Sequence, residues 1–228
     1  ISLEENLVKT LLNDNALMEL VDEFFFEHHV TGSAMTTNGW HKPPMLGLDI
    51  VDSYSFNPHK WLLTNFDAAA YWVADQQSLT SAMAIVPEYL KNAATESGQV
   101  IDYRDWMVPL GRRFRALKLW MVIRWYGAEG LRAFVRDHVG IAQELSSWVD
   151  EHASFERLTP TPFSLVCFAH IDGDDRTREI VEAVNAAGTH YVTHTTLNGR
   201  YTLRVAIGSV TTDRTHVEAL WRDIVALA

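Results

Sequence analysis

Apolar positions along the chain change their spacing several times, and each change predicts an element. Between Leu3 and His28, residues Leu7, Leu11, Leu12, Leu17, Leu20, Val21, Phe24 and Phe25 recur at close to helical intervals, predicting an amphipathic helix interrupted near Asn13-Asp14-Asn15. Residues 31–44 are rich in Gly, Thr, Asn and Pro and read as loop. Two strand-like runs follow, Leu48–Phe56 and Trp61–Trp72, with Asn57-Pro58-His59-Lys60 between them. From Trp106 to Val149 the spacing predicts one long helix carrying Phe114, Leu117, Trp120, Met121 and Ile123, punctuated by Gly127, Gly130 and Gly140. An aromatic stripe at helical spacing is ordinarily buried surface, so these rings are read as core. Beyond Phe155 the runs shorten: strand Phe163–Ile171, helix Arg176–Ala187, strands His190–Leu197 and Tyr201–Ile207 around the turn dipeptide Asn198-Gly199, and helix Thr215–Ala228. This predicts a small α+β domain, an antiparallel sheet covered by two helices.

Composition narrows the partners. With 47% hydrophobic and 21% charged residues, the 228-residue chain has ordinary globular make-up. A net charge of -10 repels polyanions, which argues against nucleic acid. The single cysteine, Cys167, sits in the apolar run Phe163–Phe168; it is read as a core thiol, and a chain without a disulfide framework suits a reducing compartment. No run approaches the roughly 18 apolar residues of a membrane span, and Ile1-Ser-Leu-Glu-Glu has neither the basic region nor the apolar core of a signal peptide, so a cytoplasmic location is expected. The absence of an initiator methionine suggests a processed or partial chain. No metal-ligand cluster is read, and there is no internal repeat.

Among five lysines, Lys60 is the one set in apolar and aromatic sequence, Phe56-Asn-Pro-His-Lys-Trp61-Leu-Leu. A lysine must lose its proton before it can form a Schiff base, and a desolvated setting favours the neutral amine. Pro58 stiffens the backbone before it, His59 offers an imidazole beside a cofactor ring, and Asn57 can hydrogen-bond a phosphate. On these residues alone, a lysine whose stem packs on Trp61 with its head in water is the commoner arrangement.

A wider pattern tips the balance. Asn57-Pro-His-Lys-Trp-Leu-Leu-Thr-Asn-Phe-Asp67, preceded by Val51-Asp-Ser-Tyr-Ser-Phe56, resembles the cofactor-lysine motif of the group II pyridoxal-phosphate-dependent decarboxylases, the aromatic-L-amino-acid, tyrosine, tryptophan and histidine decarboxylases. Asp102–Trp120 resembles a second block of that family, and Leu79–Lys91 falls where the family has its mobile catalytic loop. The resemblance runs from about Gly32 to the C-terminus, in pattern more than identity after Phe155. It implies an α/β fold, fold type I (aspartate-aminotransferase-like), as a partial large domain with a small C-terminal α+β domain. The implied division is residues 1–31 unassigned, 32–125 the remainder of the cofactor domain with its lysine and catalytic loop, and 126–228 the small domain. It also implies pyridoxal 5'-phosphate held by Lys60, His59 and Asn57, with Lys60, Tyr89 and His59 as catalytic residues, Tyr89 protonating the substrate carbon after CO2 leaves. Phe66, Leu110 and Gly111 are implied in the substrate pocket, the last two across a homodimer interface, where a glycine leaves room for a bulky ring. Arg104, Arg112, Arg113 and Arg115 are read as structural ion-pairing groups and not as substrate clamps.

The chain departs from the family in two ways: the family's phosphate-binding small residues and the histidine that stacks on the ring are not read before Gly32, and an aspartate is missing. The family's aspartate for the pyridine nitrogen lies before a Gly-Ser-Ala, and here His29-Val30 runs directly into Thr31-Gly-Ser-Ala34. Either the chain joins parts of a longer enzyme, or it is a truncated relative retained as a dimerisation module. The joint presence of Lys60, Tyr89 and Arg112-Arg113 favours the first, with decarboxylation of an aromatic L-amino acid to its amine as the expected activity. An aldehyde-forming reaction, or decarboxylation of another amino acid, is the runner-up.

Overall fold

The computed structural model describes residues 52–84, 97, 102–111 and 113–228. The predicted helix over 3–28 and the loop over 31–44 lie outside these residues. The chain divides between Trp125 and Tyr126 into two compact units, each taken by itself below.

In the first unit, β1 (Ser53–Phe56) pairs antiparallel with β2 (Ala70–Val73), in register from Ser53↔Val73 to Phe56↔Ala70. The two strands bring together the ends of the connection 57–69, which carries Lys60. The predicted strand Trp61–Trp72 is therefore mostly not a strand. Trp61 and Leu62 are buried at 2% exposure within a turn, and Leu63 has a φ of 55°, which leaves the extended region. A continuous apolar run marks burial as readily as it marks a strand. Helix α1 (Gln76–Met83) follows, N-capped by Asp75, whose carboxylate accepts from Gln77 N at 2.9 Å and from Ser78 Oγ. A 3-10 turn spans Tyr103–Trp106. Helix α2 (Arg115–Glu151) thus starts nine residues after the predicted Trp106, because Pro109 cannot belong to a helix interior. Its one non-helical residue is Gly127, at φ 69° and ψ 164°, backbone that a glycine alone adopts freely.

The second unit contains the remainder of α2 and a four-stranded antiparallel sheet of order β3-β4-β6-β5, from β3 (Phe155–Arg157), β4 (Leu165–His170), β5 (Thr193–Leu197) and β6 (Arg200–Ala206). Helices α3 (Asp174–Ala187) and α4 (Arg214–Ala226) complete it. β5 and β6 close through Asn198 (φ 51°) and Gly199 (φ 81°), with Leu197 opposite Arg200; two successive positive φ values are what a two-residue type I′ hairpin needs. Side chains alternate across the pleat, so Val166, Phe168, Leu203 and Val205 enter one core with Ile180, Val181 and Val184 of α3 and Val217, Leu220 and Ile224 of α4. Ile141, Ala142, Leu145 and Val149 of α2 join that core. Three helices therefore bury the sheet face, where the sequence predicts two. Each fully buried aliphatic side chain here contributes about 2 kcal/mol of transfer free energy. Cys167 is buried, as expected, and burial pushes its thiol pKa up.

Candidate active site

The connection 57–69 is held mainly by its own backbone. Lys60 N donates to Asn57 O at 3.0 Å, Leu63 N to Lys60 O at 3.4 Å and Thr64 N to Pro58 O at 3.1 Å, folding the residues around the lysine into consecutive turns. Trp61, Leu62, Thr64 and Ala68 point inward at 2–4% exposure, and Pro58 is buried with them. Lys60 consequently faces out. It is exposed in this chain, contrary to the desolvated setting expected from its neighbours, because the turn buries the residues after it. Its amine has no ion pair among the described residues.

His59 is fixed by one residue on the return of the loop. Its Nδ1 lies 3.1 Å from Ala68 N and 2.6 Å from Ala68 O, while His59 N donates to Ala68 O at 3.4 Å. A neutral ring with its proton on Nε2 accepts from the Ala68 N–H, and a ring protonated at Nδ1 donates to the Ala68 carbonyl, so either form stays anchored. Phe66, 83% exposed, meets the imidazole edge-on with centroids 5.0 Å apart. Asn57 is half-buried, and its carboxamide has no hydrogen-bond partner among the described residues.

Asp67, which the sequence reading did not single out, organises the far end of the loop. Arg115 donates to its Oδ2 from Nε at 3.2 Å and from a terminal nitrogen at 3.0 Å, Arg113 lies 3.1 Å from Oδ1, and Lys118 lies 3.9 Å away. These hydrogen bonds from Arg115, with the charge of Arg113 beside them, hold the Asp67 carboxyl at about 2. Arg104 pairs with Asp102 at 2.9 Å and lies 3.6 Å from Asp105. Arg104, Arg113 and Arg115 are thus ion-pairing groups, as the sequence predicts, and Arg112 lies outside the described residues. The signal that could have found Asp67 is the run of arginines near the start of α2, whose counter-charge the sequence reading left unassigned.

Leu110 and Gly111 occupy the segment before α2, both exposed, and a Cβ placed on Gly111 meets no heavy atom within 4 Å. Tyr89 and most of the predicted catalytic loop lie outside the described residues; the start of that loop is the capped helix α1. Among the described residues no group of three or more His, Cys, Asp or Glu side chains could hold a metal ion, and no helix is long and apolar enough to cross a membrane.

A primary amine, an anchored imidazole and an unpartnered carboxamide within four residues fit a group that bears an aldehyde, an aromatic ring and a phosphate. Comparison with known proteins agrees. Residues 30–171 match the pyridoxal-dependent decarboxylase conserved domain, and the chain belongs to that family. It is 46% identical over 185 residues to phenylacetaldehyde synthase of Arabidopsis thaliana, covering 78% of this chain and 38% of that protein. It is 40% identical to tryptophan decarboxylase 2 of Oryza sativa subsp. japonica, covering 77% of this chain and 37% of that protein. The crystal structure of Oryza sativa TDC with PLP and tryptamine superposes with a TM-score of 0.76 at 40% identity, over 80% of this chain and 40% of that one. Rhodiola rosea 4-hydroxyphenylacetaldehyde synthase gives 0.71 at 37% identity, over 81% and 38%. The chain therefore carries part of the fold type I architecture of pyridoxal-phosphate-dependent decarboxylases, and it spans about two fifths of the length of these relatives.

Proposed function

We propose that the protein to which this chain belongs decarboxylates an aromatic L-amino acid to its amine, with pyridoxal phosphate held at Lys60. The observation that carries the reading is the loop itself: within the family's matched region, backbone hydrogen bonds and four buried neighbours present the Lys60 amine outward, with no ion pair among the described residues. Lys60 would hold the cofactor aldehyde, His59 would lie against its ring and Asn57 would hydrogen-bond its phosphate. When bound, the cofactor supplies an electron sink for the bond that breaks as CO2 departs. The protein's part is positional: Ala68 fixes the imidazole, and the Asp67 cluster fixes the loop that carries it. Phe66, Leu110 and Gly111 are proposed to border the substrate ring, Tyr89 to return a proton to the substrate carbon, and the active form to be a cytoplasmic homodimer.

A second reading has a specific observation behind it. Phenylacetaldehyde synthase is among the most similar relatives at 46% identity, so the same residues could serve an aldehyde-forming reaction. Quantifying amine against aldehyde from phenylalanine, tyrosine and tryptophan separates the two. The cofactor role is tested by borohydride reduction and peptide mapping: a pyridoxyl label on Lys60, lost in Lys60→Ala together with turnover, is the expected result. A label on Lys42, Lys91 or Lys118 would remove Lys60 from the site, and a colourless, unlabelled protein would support the dimerisation-module reading.

A further inference from the structure

The second unit carries a groove of about 440 Å³ that has no part in the chemistry above. Trp148, Glu151 and His152 line it from the end of α2, and Glu218, Trp221 and Arg222 from α4. A spacing of three residues sets Trp148 and Glu151 on one face of α2, with His152 directly after its last residue, and spacings of three and four set Glu218, Trp221 and Arg222 on one face of α4. Its floor is aromatic and preset. The Trp221 ring meets His152 edge-on at 5.7 Å, Phe155 at 5.4 Å and Phe168 at 6.1 Å, and both tryptophans pack against the core. Neither indole N–H has a hydrogen-bond partner among the described residues.

The charges around that floor do not cancel. Arg214 grips Glu218 at 3.1 Å and Glu144 at 2.8 Å, and Arg157 holds Asp150 at 2.7 Å. Glu151 has no cationic partner among the described residues, and two carboxylates against the one guanidinium of Arg222 leave the groove lining net negative by one. Indole faces attract cations, and a carboxylate at the rim adds to that attraction. The groove is open to solvent, and its volume suits one aromatic ring with a short chain.

We propose that this groove binds a small aromatic ammonium ion, with its ring on Trp148 and Trp221 and its ammonium toward Glu151. The class follows from the groove alone and does not depend on the reaction proposed above. A neutral aromatic forgoes the ionic contact, and an aromatic anion meets Glu151.

Calorimetric titration of the full chain with 2-phenylethylammonium tests this. A ligand of about nine heavy atoms in an open groove should bind with a Kd on the order of 1 mM. Glu151→Gln should weaken it about fivefold, and Arg222→Gln, which removes the competing cation, should tighten it about twofold. Both positions are exposed, so an unchanged thermal midpoint serves as the check on folding. Benzyl alcohol and 3-phenylpropionate should bind several-fold more weakly. Binding of the amine at Lys60 would not respond to Glu151. No saturable binding, equal affinity in Glu151→Gln, or weaker binding in Arg222→Gln, as expected for a site that holds a carboxylate, would each overturn the proposal.

Discussion

The sheet of the second unit and the loop 57–69 of the first are held by different forces. Around Phe168 and Leu203, both at 0–1% exposure, order comes from apolar burial contributed by three helices and the strands β3, β4 and β6. Around Lys60 it comes from backbone hydrogen bonds, a few buried side chains and ion pairs to one carboxylate, while Phe66 beside them is 83% exposed. Apolar burial carries no charge for salt to screen. The second arrangement leaves an exposed amine beside a half-buried imidazole held by backbone, which a close-packed core could not do. Reactive groups are commonly carried on loops that a more rigid framework positions.

Phe168→Ala should have the strongest effect. A fully buried ring that touches Phe155 and Trp221 should cost about 3–5 kcal/mol, enough to lower the urea midpoint of the second unit sharply, and equally at 0.1 and 1 M NaCl. An unaffected midpoint would mean that the sheet core is not what holds this unit.

A smaller effect should appear at His138, the one buried histidine of α2 for which burial drives the pKa below its ordinary 6.5. Its Nε2 lies 3.2 Å from Thr212 O, and Asp137 pulls the other way. Because the folded pKa is depressed, its stabilisation is present above the unfolded value and is lost as pH falls through the folded one. Unfolding midpoints should therefore drop between pH 7.5 and 5.5, and drop less in His138→Gln. Parallel pH profiles for the two proteins would exclude His138 as the cause.

The smallest effect on global unfolding is expected at Asp67, whose partners are partly or largely in water. Asp67→Asn should leave the urea midpoint nearly unchanged yet speed proteolysis within residues 57–69, and 1 M NaCl should reproduce part of that effect in the wild type. With its pKa lowered from 3.8 to about 2, the contribution of Asp67 is complete above the unfolded value and disappears only as pH falls through about 2. Cleavage rates that ignore both the substitution and salt would show that the backbone bonds suffice.

Legibility from sequence followed the same divide. The Asn198-Gly199 hairpin was readable because its turn demands positive φ at two successive residues, and few dipeptides supply that. Helices α3 and α4 were readable from apolar spacing alone; the reciprocal capping box that Asp213 and His216 form at the start of α4 was not read. β3 was not read, because three residues are too few for any period to show. The lysine loop was recognisable as a motif but not as a conformation: Trp61-Leu62-Leu63 looks strand-like, and only tertiary burial turns it. The exposure of Lys60 was hidden for the same reason, since apolar neighbours in sequence need not be neighbours in space. Asp67 escaped because its three cations lie more than forty residues downstream.

The four-stranded sheet also bears on solubility. Its two outer strands are β3 and β5. β3 offers three residues, two of them charged, with Glu156 tied to Arg200 at 2.9 Å and Arg157 to Asp150. β5 reads Thr-His-Thr-Thr-Leu, polar on both faces apart from its last residue. Unpaired strand borders are templates for another chain, and natural sheets guard them with brevity and charge. One border here is too short to extend and the other too polar to stack, so even at high concentration the sheet should resist growing into fibrils from its margins.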